Sequence, residues 1–137
     1  MRVVLDTNVL VAAFAARGLC AELLEHCVRE HQLLTSEYIL AEVRQSLVSK
    51  LGASGRDADE AVKLLRTRLT VVEPLELGRR VCRDAKDDPI PGTAAAAHCE
   101  VLVTGDKDLL EVGAYETVRI VSPRGFWSLE GATRSGE

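Results

Sequence analysis

Short runs of valine, leucine and other apolar residues alternate along this chain with longer stretches in which apolar residues recur at the helical period. The short runs predict five strands, namely RVVL, QLLTS, LTVVEP, EVLVTGD and TVRIVSP. The stretches between them predict helices, most clearly over residues 37–51. Because strands that alternate with helices pair in parallel and are covered on both sides, the sequence predicts an α/β fold with a central parallel sheet of about five strands, flanked by helices on both faces.

The length of 137 residues suits a single domain with one hydrophobic core. We expect this domain to occupy residues 1–129 and residues 130–137 to form a disordered tail. No run reaches the ~18 apolar residues of a membrane span. The segment after Met1 lacks the basic region and the long apolar stretch of a secretory signal. We therefore expect a cytoplasmic protein with no membrane contact.

The charge balance bears on nucleic-acid binding. The chain has 17 basic and 21 acidic residues and a net charge of −4, whereas a protein that holds nucleic acid by bulk charge is usually basic. Contact with nucleic acid would therefore need a local positive charge that offsets the repulsion between acidic side chains and phosphate. A bound metal ion supplies such a charge.

Cysteines and histidines show no metal-binding pattern. None of the cysteines forms a CxxC pair, so thiolate-bound zinc is not predicted, and buried free thiols are the better interpretation. The histidines are scattered and match no ligand spacing, so each is interpreted as structural or exposed. These residues are Cys20, Cys27, Cys82 and Cys99, and His26, His31 and His98.

Acidic residues follow two of the predicted strands. Asp6 comes directly after the first strand and Asp106 directly after the apolar part of the fourth. Because function gathers at the carboxyl ends of parallel strands, these side chains should share one edge of the sheet. Asp88, with Asp87 beside it, begins the predicted TAAAA helix and would point toward the same edge. Glu42 borders the apolar face of the 37–51 helix, where a carboxylate needs a partner.

Carboxylates crowded at one edge would repel one another, raise their own pKa values and destabilise the fold. A divalent cation removes this penalty, and oxygen ligands alone suit Mg²⁺ or Mn²⁺. Such an ion binds phosphate and activates water, which is the chemistry of phosphodiester cleavage. The acids therefore predict a metal-dependent enzyme that acts on a phosphodiester.

Each acid also has a structural explanation when it is taken alone. Asp6 and Asp88 could cap helices, since aspartate is a favoured N-cap residue. Asp106 could form a turn after Gly105, and Glu42 could lie at the solvated border of its helix. The conjunction of the four in one order along the chain favours a shared site.

Four segments together resemble the PIN domain, a metal-dependent ribonuclease fold. They are LDTNVLVAAF, SEYILAEV, CRDAKDDPI and LVTGDKDLL. Within this family the chain is most similar to the VapC-type toxins of prokaryotic toxin–antitoxin pairs. The resemblance runs from about Val3 to Trp127 and is carried by the order and context of the motifs.

The resemblance implies a role for each matching residue. The acidic ligands of one or two Mg²⁺ or Mn²⁺ ions, which also carry catalysis, would be Asp6, Glu42, Asp88 and Asp106. Asp108 would be an auxiliary acid, and the supporting residues would be Asn8, Thr104 and Asp87. The implied reaction is hydrolysis of RNA to a 5′-phosphate and a 3′-hydroxyl. The implied partners are the RNA substrate, a small antitoxin protein and a second copy of the chain in a homodimer.

One departure from the family pattern keeps an alternative open. The DD motif continues as DDPIPGTAAAA, in which Pro91 and Gly92 interrupt the expected helix. The prolines fit a first helical turn, but Gly92 should cost ~1 kcal/mol relative to alanine, and the helix could start late. The alternative is a degenerate PIN domain that binds RNA or a protein. A phosphatase with Asp6 as nucleophile is less favoured, because Asn8 stands where haloacid-dehalogenase-like enzymes carry a second aspartate.

Overall fold

The structure is a computed structural model that describes residues 1–75 and 89–135. In chain order its elements are β1 (Arg2–Leu5), α1 (Thr7–Ala15), α2 (Leu19–Glu30), β2 (Gln32–Thr35), α3 (Glu37–Ser49), α4 (Gly55–Arg68), β3 (Thr70–Val71), α5 (Pro89–Ala96), β4 (Val101–Val103), α6 (Lys107–Val112), β5 (Ala114–Tyr115), β6 (Val118–Val121) and α7 (Pro123–Ser135). Beyond Leu75, the predicted helix LELGRRVCR lies outside the described residues.

Within the described residues the strands form one six-stranded sheet with the order β3-β2-β1-β4-β6-β5. All neighbours pair in parallel except β5, which is antiparallel to β6 at the edge. The predicted α/β fold with a parallel sheet is thus confirmed. The sixth strand was not predicted, because the two residues of β5 are too few to show a strand pattern.

The strand order places a candidate site. The chain proceeds outward from β1 through β2 to β3, and then crosses to β4 and β6 on the other side of β1. Ligands of open α/β sheets bind at the carboxyl ends of the strands where this direction reverses. Here that point lies between β1 and β4, where Leu5 pairs with Val103 and the amide of Asp6 donates to the carbonyl of Val103 at 2.9 Å.

The central strands are buried on both faces, which explains why they read as continuous apolar runs. Val3, Val4, Leu5, Leu102 and Val103 have no exposed side-chain surface. No single helix in residues 1–75 and 89–135 is long and apolar enough to cross a membrane, and only α1 and α2 together, bent by 110°, reach that length and composition.

Helix α3 carries the predicted apolar face, and its start is fixed by a cap. The hydroxyl of Ser36 accepts a hydrogen bond from the amide of Ile39 at 3.3 Å. Ile39, Val43 and Leu47 on this face are buried, whereas Val48 is 38% exposed.

Helix α5 begins at Pro89 and accommodates both prolines in its first turn, so it does not start late. Packing explains why a glycine stands at position 92 in this helix, which the sequence alone could not show. A Cβ at this position would lie 2.6 Å from the carbonyl oxygen of Leu75, and the amide of Leu75 donates to the carbonyl of Gly92 at 3.0 Å. The glycine therefore permits a close approach between α5 and the segment after β3.

Helix α7 runs from Pro123 to Ser135 and so includes residues that the sequence analysis assigned to a tail. At Glu130 this helix makes a tertiary contact. The carboxylate of Glu130 is held by His26 and His31, two residues from a distant part of the chain.

Candidate active site

Asp6 lies at the junction of β1 and α1 and is 2% exposed. Its Oδ1 accepts a hydrogen bond from the amide of Thr7 at 2.6 Å, so Asp6 caps α1. Its Oδ2 accepts from the hydroxyl of Thr104 at 2.6 Å and from Nδ2 of Asn8 at 3.1 Å. The cap and the candidate ligand are the same residue, so the structural and functional interpretations are compatible.

The loop after β4 is tied to the start of α1 by two further hydrogen bonds. The amide of Gly105 donates to Oδ1 of Asn8 at 2.9 Å, and the amide of Asp106 donates to the hydroxyl of Thr104 at 3.0 Å. A Cβ at Gly105 would lie 3.2 Å from Oδ1 of Asn8, which leaves little room for a side chain. Asn8 and Thr104 thus hold the loop after β4 against Asp6 and the start of α1.

Asp106 is the N-cap of α6, where its Oδ1 accepts from the amide of Asp108 at 3.0 Å. It lies next to the end of β4, as Asp6 lies next to the end of β1. The two predicted acids therefore share one edge of the sheet. Asp108 follows in the first turn of α6.

Glu42 projects from α3 and finds the partner that its apolar surroundings require. The hydroxyl of Thr7 donates to its Oε1 at 2.8 Å. Thr7 was missed by the sequence analysis, although it stands between the two named residues of the DTN motif. Its amide donates a hydrogen bond to Asp6 and its hydroxyl donates one to Glu42, so one residue positions both carboxylates.

The three acids line one cleft of about 440 Å³, here called the acidic cleft. The other walls come from α1, α3 and α5, and one cation, Lys50, lies among them. The full lining is Asp6, Thr7, Asn8, Val11, Ala12, Ala15, Glu42, Ser46, Lys50, Leu51, Ile90 and Asp106. Asp87 and Asp88 lie outside the described residues.

Burial is the main reason that the pKa of Asp6 is raised to about 6. The hydrogen bonds from Thr104 and Thr7 act in the opposite direction, and the negative charges of Glu42 and Asp106 raise the pKa further. The ionised form of Asp6 is thus destabilised by its surroundings. A cation in the cleft would offset both the desolvation and the repulsion.

The donor set of the cleft fits a hard divalent cation. Its ligating groups are carboxylate oxygens, the type that Mg²⁺ and Mn²⁺ prefer. Oδ2 of Asp6 accepts two hydrogen bonds and Oδ1 accepts one from the described residues, so Oδ1 keeps a free acceptor position. Asp6, Glu42 and Asp106 are the described residues that could hold the ion.

The mostly parallel sheet and the carboxylates at the ends of its middle strands define an α/β protein with a candidate site for an oxygen-ligated cation. Residues 2–108 match the model of a family described as the PIN domain. The chain belongs to the PIN domain family, as the four sequence motifs predict.

Solved structures share this fold at low sequence identity. VapBC2 from Rickettsia felis, bound to a DNA fragment from its promoter, has a TM-score of 0.63 and 16% identity, with 89% of this chain and 98% of that chain covered. VapBC-1 from nontypeable Haemophilus influenzae has a TM-score of 0.63 and 20% identity, with coverages of 90% and 99%. VapC20 from Mycobacterium tuberculosis, described as a sarcin-ricin loop cleaving toxin, has a TM-score of 0.60 and 16% identity, with coverages of 85% and 98%. A comparison with curated protein sequences finds no significant match.

Proposed function

We propose that this protein is a Mg²⁺- or Mn²⁺-dependent endoribonuclease that hydrolyses RNA in the acidic cleft. The observation that carries the proposal is that Asp6, Glu42 and Asp106 line one cleft in which burial and neighbouring carboxylates raise the pKa of Asp6. The proposed ligands of one or two ions are Asp6, Glu42, Asp88 and Asp106, with Asp108 as an auxiliary acid. The proposed supporting residues are Asn8, Thr104 and Asp87.

Each residue of the acidic cleft has a separate proposed role. Asp6 would help to hold the ion, while Asn8 and Thr104 donate hydrogen bonds to its Oδ2. Thr7 orients Glu42. A divalent cation held by these residues would supply a lower pKa for a water molecule and stabilisation of negative charge on the leaving oxygen. Lys50, the cation of the lining, is suited to contact an RNA phosphate.

We further propose that the protein is the toxin of a toxin–antitoxin pair. Support comes from the fold shared with VapBC2 and VapBC-1, and from the description of VapC20 as a toxin that cleaves the sarcin-ricin loop. The proposed partners are RNA, a small antitoxin and a second copy of the chain, and the proposed location is the cytoplasm.

The test is cleavage of a labelled RNA by metal-free protein after addition of Mg²⁺ or Mn²⁺. We expect cleavage to need the metal, to leave a 5′-phosphate, and to be lost in Asp6→Asn, Glu42→Gln and Asp106→Asn variants that remain folded. Glu111→Gln is the matched control, because Glu111 is an exposed acid on α6 outside the cleft. Activity in the Asp6 variant equal to that of the wild type would refute the assignment of roles.

The degenerate binding module is the alternative, and metal titration separates it from the enzyme. Calorimetry of Mn²⁺ into wild-type protein, alone and with an RNA oligomer, should show specific binding that Asp6→Asn and Asp88→Asn weaken. RNA binding without metal binding or cleavage would favour the module instead.

A further inference from the structure

A second cluster of potential metal ligands lies away from the acidic cleft. It consists of His26 on α2, His31 directly before β2, and Glu130 on α7. One ligand atom from each residue can be chosen so that all three lie within 4.8 Å of one another. Nε2 of His26 is 2.8 Å from Oε1 of Glu130, and Nε2 of His31 contacts the same oxygen. We call this group the His–His–Glu cluster.

The cluster and the acidic cleft are at opposite ends of the sheet. His31 precedes the amino end of β2, whereas Asp6 follows the carboxyl end of the parallel neighbour β1. The side chains of His26, His31 and Glu130 are 8%, 10% and 12% exposed. The cluster is therefore largely shielded from bulk water, yet not sealed from it.

Aromatic rings surround the cluster. The ring of Trp127 lies 4.9 Å from that of His26, and the ring of Phe126 lies 5.8 Å from that of His31. The indole Nε1 of Trp127 is buried and has no acceptor among the described residues. The ring beside His26 thus carries a donor that a further small ligand, such as a water molecule, could satisfy.

We propose that His26, His31 and Glu130 bind a Zn²⁺ ion. Two imidazole nitrogens and one carboxylate oxygen are a donor set that zinc takes with a fourth position left to water. Imidazole ligands distinguish this cluster from the acidic cleft, where carboxylates alone favour a harder ion. The proposal does not depend on the ribonuclease function.

The spacing of the donors is compatible with this ion. Ligand atoms of a tetrahedral zinc site are ~3.3 Å apart for bonds of ~2.0–2.1 Å. The ligand atoms lie within 4.8 Å of one another, and Nε2 of His26 is 2.8 Å from Oε1 of Glu130, so the limits of their separations enclose this value. The carboxylate of Glu130 contributes one negative charge, and the amino-terminal nitrogen of Met1 lies 3.0 Å from Nδ1 of His31, which leaves Nε2 of that ring as its ligand atom.

The ion would fasten α7 to the rest of the domain. Its ligands come from three segments, and Glu130 is 99 residues away from His31 in sequence. α7 otherwise contacts α2 and β6, with Phe126 fully buried. Zinc would therefore stabilise the folded state and hold the last helix against α2.

The test uses untagged full-length protein freed of metal. Zn²⁺ titration by calorimetry should give one site per chain besides any site for Mn²⁺. Trp127 is the only tryptophan of the chain, so Co²⁺ bound beside it should quench the intrinsic fluorescence. Co²⁺ should also give the visible absorption of a tetrahedral ion, without the charge-transfer band of a thiolate ligand.

Three variants and two controls decide the assignment. His26→Gln, His31→Gln and Glu130→Gln should each weaken Zn²⁺ binding more than ~100-fold, since loss of an outer-shell partner alone costs 10–100-fold. His98→Gln, which alters an exposed histidine outside the cluster, and Asp6→Asn should bind Zn²⁺ as the wild type does.

Two results would overturn the proposal. One is folded wild-type protein that binds no Zn²⁺ in the micromolar range, in which case the cluster is an ion pair that needs no metal. The other is binding that the three variants leave unchanged, which would show an adventitious site elsewhere. If the variants unfold, the wild-type Co²⁺ spectrum decides, because an octahedral or thiolate spectrum would contradict the proposed ligands.

Discussion

The hydroxyl of Thr104 donates to Oδ2 of Asp6 at 2.6 Å and joins the ends of two adjacent strands that are 98 residues apart in sequence. The same hydroxyl accepts from the amide of Asp106 at 3.0 Å. Thr104 is fully buried, and its hydrogen bond replaces part of the hydration that Asp6 loses in the fold. One side chain therefore sets the positions of two acids of the cleft.

Replacement of Thr104 by valine should disturb both acids, because valine has a similar shape and no hydroxyl. The buried carboxylate of Asp6 would lose a donor, which should cost ~1–3 kcal/mol of unfolding free energy at pH 8. RNA cleavage and Mn²⁺ affinity should fall by ~10–100-fold, the typical effect of an outer-shell partner. Thr104→Ser keeps the hydroxyl and should retain most of the RNA cleavage and most of the Mn²⁺ affinity. Losses in Thr104→Ser as large as those in Thr104→Val, measured by calorimetry and denaturation, would contradict the role assigned to the hydroxyl.

Asp6 should make the metal-free protein less stable as pH rises. The pKa of its carboxyl is raised to about 6 in the fold, so between pH 4 and 6 the folded state holds a proton that the unfolded state has released. Stability therefore falls through this window, by about 3 kcal/mol for the shift from 3.8 to about 6.

Urea denaturation in EDTA at pH 4 and pH 7.5 would measure most of the pH effect. Asp6→Asn should show a smaller loss of stability over this range than the wild type, whatever its absolute stability. Addition of Mn²⁺ should stabilise the wild type more than the variant. Identical pH dependence in the two proteins would contradict the proposed burial of a carboxyl with a raised pKa.

Much of the fold could be predicted from the sequence, because the buried parallel strands produce apolar runs between helical stretches. α6 was missed since six residues hold fewer than two helical turns. α7 was missed since its sequence, PRGFWSLEGATRS, contains proline and two glycines, which have low helix propensity. The shape of α5 around Gly92 depends on the neighbouring backbone of Leu75, which no local pattern encodes.

Gly92→Ala should destabilise the protein although alanine favours helices. The added Cβ would lie 2.6 Å from a backbone oxygen, so the chain must shift at a cost of ~1–3 kcal/mol. Gly131→Ala is the matched control, because this α7 position has no described atom within 4 Å of an added Cβ. The free energy of unfolding of Gly131→Ala should rise by up to ~1 kcal/mol. Thermal and urea denaturation of both variants measure the contrast, and a stabilised Gly92→Ala would contradict the close packing.

The site was predictable only in part. Asp6 and Asp106 follow predicted strands, so their shared edge follows from parallel pairing. The contact of Thr7 with Glu42 depends on how α1 packs on α3, and the meeting of His26 with Glu130 depends on a helix that was not predicted. Sequence spacing describes neighbours along one element, and these contacts are between elements.

Thr7→Val should release Glu42 while leaving the cap of α1 in place, because the backbone amide that serves Asp6 is kept. We expect metal affinity and kcat to fall by ~10–100-fold with a smaller change in stability. Thr7→Ser should restore activity, since its hydroxyl can donate to the same oxygen. Calorimetry with Mn²⁺ and RNA cleavage measure both. A Thr7→Val variant with normal metal affinity would show that Glu42 needs no positioning.

Lys50 should contact the RNA and should not affect binding of the metal ion. It lies at the end of α3, two turns beyond Glu42, and lines the acidic cleft with an exposed side chain. Lys50→Gln should raise KM for RNA several-fold and reduce the salt dependence of binding by about one unit of slope, as expected for a lost phosphate contact. Mn²⁺ affinity should not change.

Lys63→Gln is the control, because Lys63 is an exposed lysine on α4 outside the cleft. If both lysine variants weaken RNA binding equally, the effect comes from overall charge, and the assigned contact of Lys50 with a phosphate would be wrong.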